Sequence, residues 1–123
     1  MKEFDRLVEV VATLRKKCPW DRAQTHETLK KYMFEELHET IEAIDEKDYK
    51  HLEEELGDML LHIVMHAEIA KENKKFQIED ILNNITKKMI RRHPHVFGKG
   101  KARTIAGVRK RWDQIKKEEK CEH

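Results

Sequence analysis

The chain has 123 residues, which sets one domain, residues 1–123, as the expectation. Lys and Arg number 26 against 24 Asp and Glu, so the formal net charge is only +2 although 41% of the residues are charged. That balance excludes a polycation built for stable nucleic-acid binding. No uncharged apolar run approaches the roughly 18 residues of a membrane span, so no membrane partner is expected. The first ten residues, MKEFDRLVEV, are charged from the start and carry no signal-peptide core. Cys18 and Cys121 then read as reduced thiols, and the expected location is the cytoplasm.

Four glycines and two prolines leave long unbroken stretches rich in Glu, Lys, Leu, Ile and Met, which favour helix. The first helix is expected over Lys2 to Lys17, with Phe4, Leu7, Val8, Val11 and Leu14 in one stripe. Pro19 ends it, and CPWDRAQT reads as a loop. Thr25 caps a second helix that runs to about Asp45. Its apolar stripe is Leu29, Met33, Leu37, Ile41 and Ile44. Asp48 caps a third helix, reaching about Asn73, with two apolar faces. One contains Leu56, Leu60, Ile63, Val64 and Ala67, and the other Leu61, Met65 and Ile69. A helix apolar over so much of its circumference is buried on several sides. A fourth helix spans about Ile78 to Arg92 and stops at His93-Pro94. HPHVFGKGKAR reads as a basic loop, and Thr104 caps a last helix carrying Val108, Trp112 and Ile115. Residues 116–123 read as a frayed tail. The pattern is all-α: a helical bundle, expected to be oligomeric, with a partner subunit covering the third helix.

The chemistry concentrates on the second and third helices. Glu36 and Glu39 lie three apart, as do Glu55 and Asp58, so each pair shares a helix face. Glu36 falls roughly 20° from Leu29 on the helical wheel, at the margin of the stripe. Glu35 and Glu54 point further out. A short connector makes the helices antiparallel neighbours, so four carboxylates face one another. At about 4 Å each like-charge pair costs several kcal/mol at an intermediate dielectric. A hard divalent cation with oxygen ligands offsets that cost, and carboxylates plus waters suit Mg²⁺, with Mn²⁺ as a substitute. The alternative is a solvated face of glutamates paired with lysines. Glu35-His38 fits a di-iron Glu-x-x-His spacing once, and Asp58-His62 fits it only in part.

Mg²⁺ that keeps waters usually meets phosphates. Matching cations follow: Lys87, Lys88, Arg91 and Arg92 close the fourth helix, and Arg109, Lys110, Arg111, Lys116 and Lys117 lie on the last. Pairing with the helix dipole and a solvated face account for many such charges. Opposite an acidic cage, they also suit a polyphosphate ester.

At these residues the sequence resembles the MazG-type nucleoside triphosphate pyrophosphohydrolases. The signature reads Glu35-Glu36-Leu37-His38-Glu39, then fifteen residues, then Glu55-Leu56-Gly57-Asp58. CPWDRAQTHETL, RRHPHVFG and RWDQIKKEE extend the similarity from about Leu7 to Glu119. The resemblance implies an all-α NTP pyrophosphatase fold, assembled as a dimer or dimer of dimers around a four-helix core that oligomerisation completes. It also implies hydrolysis of a nucleoside triphosphate to the monophosphate and pyrophosphate. Glu36, Glu39, Glu55 and Asp58 match the metal ligands. Lys88 and Arg92, with Arg91 beside them, match the basic positions that hold phosphates. Trp112 and Lys116 match the nucleotide-contacting face of the last helix. Trp20 lies in a matching motif, either stacking on a base or packing in the core. Glu35 or Glu39 orients or deprotonates the attacking water. A single copy of the unit distinguishes this chain from the two-domain members, and Thr104-Ile105-Ala106-Gly107 replaces a more acidic stretch. Two other functions fit less of the pattern. One is a narrower all-α pyrophosphatase acting on dCTP, dUTP or phosphoribosyl-ATP. The other is a non-enzymatic helical interaction module, which has no use for four inward carboxylates.

Overall fold

A computed structural model describes residues 1–121. Every regular element among them is helical: α1 (Lys2–Lys17), α2 (Pro19–Ala23), α3 (His26–Asp45), α4 (Tyr49–Glu72), α5 (Ile78–Arg92), α6 (Pro94–Phe97) and α7 (Ile105–Cys121). No helix among the described residues is long and apolar enough to cross a membrane. The chain divides into two units, Met1–Ile78 and Glu79–His123.

In the first unit α4 is the central element, packed against both α3 and α1. Val11 of α1 and Val64 of α4 are fully buried, with Leu29, Ala43, Met65, Ala67, Ile69 and Ala70 completing the core. Thr25 and Thr28 form a reciprocal capping box at the start of α3, and Asp48 caps α4 by accepting from the His51 N–H. The expected loop at CPWDRAQT instead contains one helical turn, α2. Cys18 is extended, as the residue before proline must be, and Pro19 then takes the first helical position, where a missing N–H costs nothing. Arg15 holds this turn in place. Its Nη1 donates to the carbonyls of Asp21 and Gln24 at 2.6 and 2.8 Å, while Nε and Nη2 grip the Glu72 carboxylate at 3.0 and 2.6 Å.

Both turns that close the long helices place a lysine in the left-handed region, Lys47 at φ 57° and Lys74 at φ 59°. At each, the next backbone N–H reaches back across the last turn, Asp48 to Ala43 and Lys75 to Ala70. Glycine occupies such positions without steric cost. Lys74→Gly, on an exposed turn, should therefore raise stability by about 0.5 kcal/mol after the added entropy of the unfolded chain is offset. Thermal unfolding checks this, and a lower midpoint would contradict it.

The expected buried stripe of α3 requires correction. Leu29 is buried, but Met33, Leu37, Ile41 and Ile44 are 41–55% exposed. The face that meets the core carries Leu29, Glu36, Thr40 and Ala43. Seven-residue spacing from Leu29 to Glu36 to Ala43 turns that line toward α4 and the apolar line away from it. On α4 both expected apolar faces contribute to the core, Val64 and Ala67 from the first and Met65 and Ile69 from the second, but the first is only partly covered. Its Leu56, Leu60 and Ile63 are 37–50% exposed.

In the second unit α5 and α7 carry the charged surfaces, and the expected loop after His93 begins with a short helix, α6, with Pro94 at its first position. Thr104 accepts from the Gly107 N–H at 3.0 Å at the start of α7. The expected tail over 116–123 is helical as far as Cys121, and Glu122 and His123 lie outside the described residues. Both cysteines are free.

Candidate functional site

The antiparallel hairpin of α3 and α4 brings carboxylates from its two helices to one place. One oxygen from each of Glu36, Glu39 and Glu55 lies within 4.8 Å of the others. Glu36 and Glu55 are buried and Glu39 is exposed. Asp58 is not in that group of three, but it lines a cavity with Glu36 and Glu39, and its charge acts on Glu36. Glu35 lines the cavity as well.

The electrostatics follow from crowding. Burial, then a hydrogen bond with Glu55 and the charges of Asp58, Glu55 and Glu39, push the Glu36 carboxyl up to about 8. Glu39 also lies above the ordinary carboxylate range, chiefly through its hydrogen bond with Glu55. Glu55 is held low because it accepts from both neighbours and because His51 Nε2 sits 3.1 Å from its Oε1. Hydrogen bonding of Glu36 and Glu39 to the Glu55 carboxylate thus offsets part of the repulsion.

Two buried oxygens, Glu36 Oε1 and Glu55 Oε2, have no hydrogen-bond partner. Leaving such atoms unpaired is costly, and their all-oxygen surroundings fit a hard divalent cation such as Mg²⁺ or Mn²⁺. The group contains no histidine, so a di-iron ligand pattern is not assembled among the described residues. His38 pairs instead with Glu42 at 3.0 Å, and His66 meets His26 at 2.7 Å.

Next to the carboxylates the cavity, about 250 Å³, becomes apolar, with Trp20, Leu29, Tyr32, Leu61 and Met65 on its wall beside His62. Trp20 is 53% exposed and meets Tyr32 edge-on at 5.9 Å, so it stands at the cavity rather than in the core. Burial keeps His62 below the ordinary imidazole range, although the Asp58 charge opposes this.

The basic candidates belong to the second unit. Lys88, Arg91, Arg92 and Lys116 share a groove of about 440 Å³. Trp112 faces a different cavity, lined also by His93, Thr104, Val108 and Arg109, and its ring lies 5.1 Å from the Arg92 guanidinium. Sequence reasoning missed His51, although its four-residue spacing from Glu55 on one helix was a usable signal. It also passed over Tyr32 of α3, which lines the cavity and meets Trp20, a contact between two helices that has no local signature.

Residues 24–97 match the family model described as the MazG nucleotide pyrophosphohydrolase domain. The chain is 50% identical over 119 residues to the nucleoside triphosphate pyrophosphohydrolase/pyrophosphatase MazG of Thermotoga maritima, covering 95% of this chain and 45% of that protein. It is 41% identical over 125 residues to the nucleoside triphosphate pyrophosphohydrolase of Escherichia coli K12, covering 99% of this chain and 48% of that protein. The chain thus spans about half the length of these curated relatives. A crystal structure of a mazG-related protein from Thermotoga maritima superposes with a TM-score of 0.78 at 31% identity, covering 92% of this chain and 98% of that one. An all-helical unit with acidic residues gathered from two adjacent helices, matched by the family model over most of its length, belongs to the MazG nucleotide pyrophosphohydrolase domain family.

Proposed function

We propose that the chain hydrolyses nucleoside triphosphates to the monophosphate and pyrophosphate in the cytoplasm, with Mg²⁺ as cofactor and Mn²⁺ able to replace it. The observation that carries this reading is the trio Glu36, Glu39 and Glu55, with two unpartnered buried oxygens, of which Glu36 and Glu39 line a cavity with an aromatic wall. Glu36, Glu39 and Glu55, joined by Asp58, would hold the cation. When bound, the cation neutralises triphosphate oxygens and lowers the pKa of the attacking water. Trp20 and Tyr32 offer ring surface to the base. Glu39 is tied to Glu55, so Glu35, on the same wall but outside the trio, is the better placed to orient the water that attacks the α-phosphorus. Lys88, Arg91, Arg92 and Lys116 offset charge on the departing pyrophosphate, and Trp112 contributes to the nucleotide surface.

The active form in this reading is a homodimer or a dimer of dimers. The uncovered lines Met33, Leu37, Ile41, Ile44 on α3 and Leu56, Leu60, Ile63 on α4 belong to one hairpin. Two such hairpins, face to face, make a four-helix core.

Each NTP and dNTP, and phosphoribosyl-ATP, incubated with Mg²⁺ and monitored for pyrophosphate tests the activity. Release should stop in EDTA and return with Mg²⁺ or Mn²⁺. Full turnover in chelator would refute the metal role. Turnover of dCTP, dUTP or phosphoribosyl-ATP alone would narrow the substrate class, and no release from any of them would favour an interaction module.

A further inference from the structure

The polar contacts joining α5 to α7 converge on Glu119, to which no role has yet been given. Arg91 donates to its carboxylate through Nε and Nη2 at 3.1 and 3.2 Å, and Arg92 does the same at 3.1 and 3.2 Å. Such two-point grips are the strongest arginine contacts and fix the plane of each guanidinium. Arg92, followed by Arg91, holds the Glu119 carboxyl below the ordinary range, so it is ionised at neutral pH. The Glu119 side chain is 18% exposed and that of Arg92 10%. The guanidinium of Arg92 lies over Trp112, whose ring meets His93 edge-on at 5.2 Å and 81°. Arg92 is therefore held between a carboxylate and an aromatic face.

Consecutive helix residues diverge by about 100°, and two guanidinium groups repel each other. Arg91 and Arg92 would not share one direction without a common anion. Lys87, Lys88, Lys116 and Lys120 line the same groove, and Glu119 is the one acidic residue among its lining residues. In a groove meant for phosphates, a carboxylate should only weaken binding unless it orders the donors around it.

We propose that Glu119 is a positioning residue for the substrate's phosphates. It occupies the Nε–Nη2 edges of Arg91 and Arg92 and leaves their Nη1 sides to the groove. This rests on reading those two arginines as phosphate-binding groups.

The sign of the effect makes the test discriminating. Removing a negative charge from a basic groove should, by electrostatics alone, tighten anion binding. Positioning demands the reverse. Steady-state kinetics with Mg²⁺ and the preferred nucleoside triphosphate should show KM raised about tenfold by Glu119→Gln with kcat nearly unchanged, the mark of lost binding common to ground and transition states. The pair Arg91→Ala and Arg92→Ala should raise KM at least as much, and adding Glu119→Gln to that pair should change nothing further. If Glu119→Gln lowers KM or leaves it unchanged while the arginine pair raises it, positioning is overturned and the phosphate reading stands. An unchanged KM in the arginine pair removes the phosphate reading, and the proposal with it. A further, additive loss in the triple variant would mark a purely structural contact and overturn positioning. Should Glu119→Gln unfold at the assay temperature, Glu119→Asp keeps the charge but falls short of both forks. It should raise KM likewise, and a wild-type KM there would refute the proposal.

Discussion

Glu55→Gln should lower pyrophosphate release by more than ~100-fold, His51→Ala by about tenfold, and Glu54→Gln hardly at all, because losing a metal ligand exceeds the ~10–100-fold cost of losing an outer partner. Glu55 sits at the centre of the site, accepting from Glu36, Glu39 and His51. Glu54 is one residue away and exposed. Equal losses at positions 54 and 55 would contradict the assignment. Glu36→Gln should be as inactive as Glu55→Gln yet more stable than the wild type in EDTA. The raised pKa of Glu36 means that the folded chain binds its proton more tightly than the unfolded chain does. That contribution is fully present below the ordinary carboxylate range and is lost as pH rises toward about 8. Glutamine cannot ionise. The advantage of the variant should therefore widen with pH over that window and level off above it, as thermal unfolding in chelator would show. A variant that loses both activity and stability at every pH would argue for a structural glutamate.

Ile41→Asp should halve the particle mass seen by light scattering at micromolar concentration and take most of the activity with it. Ile41 is 47% exposed in a line with Met33, Leu37 and Ile44, beside Leu56, Leu60 and Ile63 on α4. Apolar surface of this extent on one hairpin is typical of an interaction site. An aspartate there costs the single chain little, since water already reaches the position, but it puts an unpaired charge in an interface. Met65 would be the wrong probe. It is 4% exposed within its own unit, so a charge there would unfold the subunit before reporting on assembly. A wild-type mass with wild-type activity for Ile41→Asp would exclude this face as the interface.

The bounds of the long helices were legible because caps and prolines sit where periodic runs begin and end. Thr25, Asp48, Thr104 and the His93-Pro94 pair each marked a terminus that the structure also has. Facing was harder. On α3 the apolar line and the core line differ, because the core side carries Glu36 and Thr40 where leucines would be expected. Periodicity finds apolar residues, not the direction from which they are covered. The same ambiguity explains why two apolar faces were visible on α4 but not that the chain would bury Val64 and Ala67 of the first while leaving Leu56, Leu60 and Ile63 open. Glu36, Glu39 and Glu55 were legible from spacing, since three-residue separation on adjacent helices is enough to gather them. The links from Glu119 back to Arg91 and Arg92 cross 28 and 27 residues, and no local rule joins positions that far apart.

Arg15 spends three of its hydrogen bonds on main-chain oxygens, those of Asp21, Arg22 and Gln24. Every amino acid supplies such an oxygen, so the grip of Arg15 on the turn that carries Trp20 depends mainly on its backbone and little on the side chains it displays. The turn behaves like a socket with exchangeable bits. Substitutions at positions 20 to 23 should therefore remodel the cavity wall while the frame beneath keeps its place.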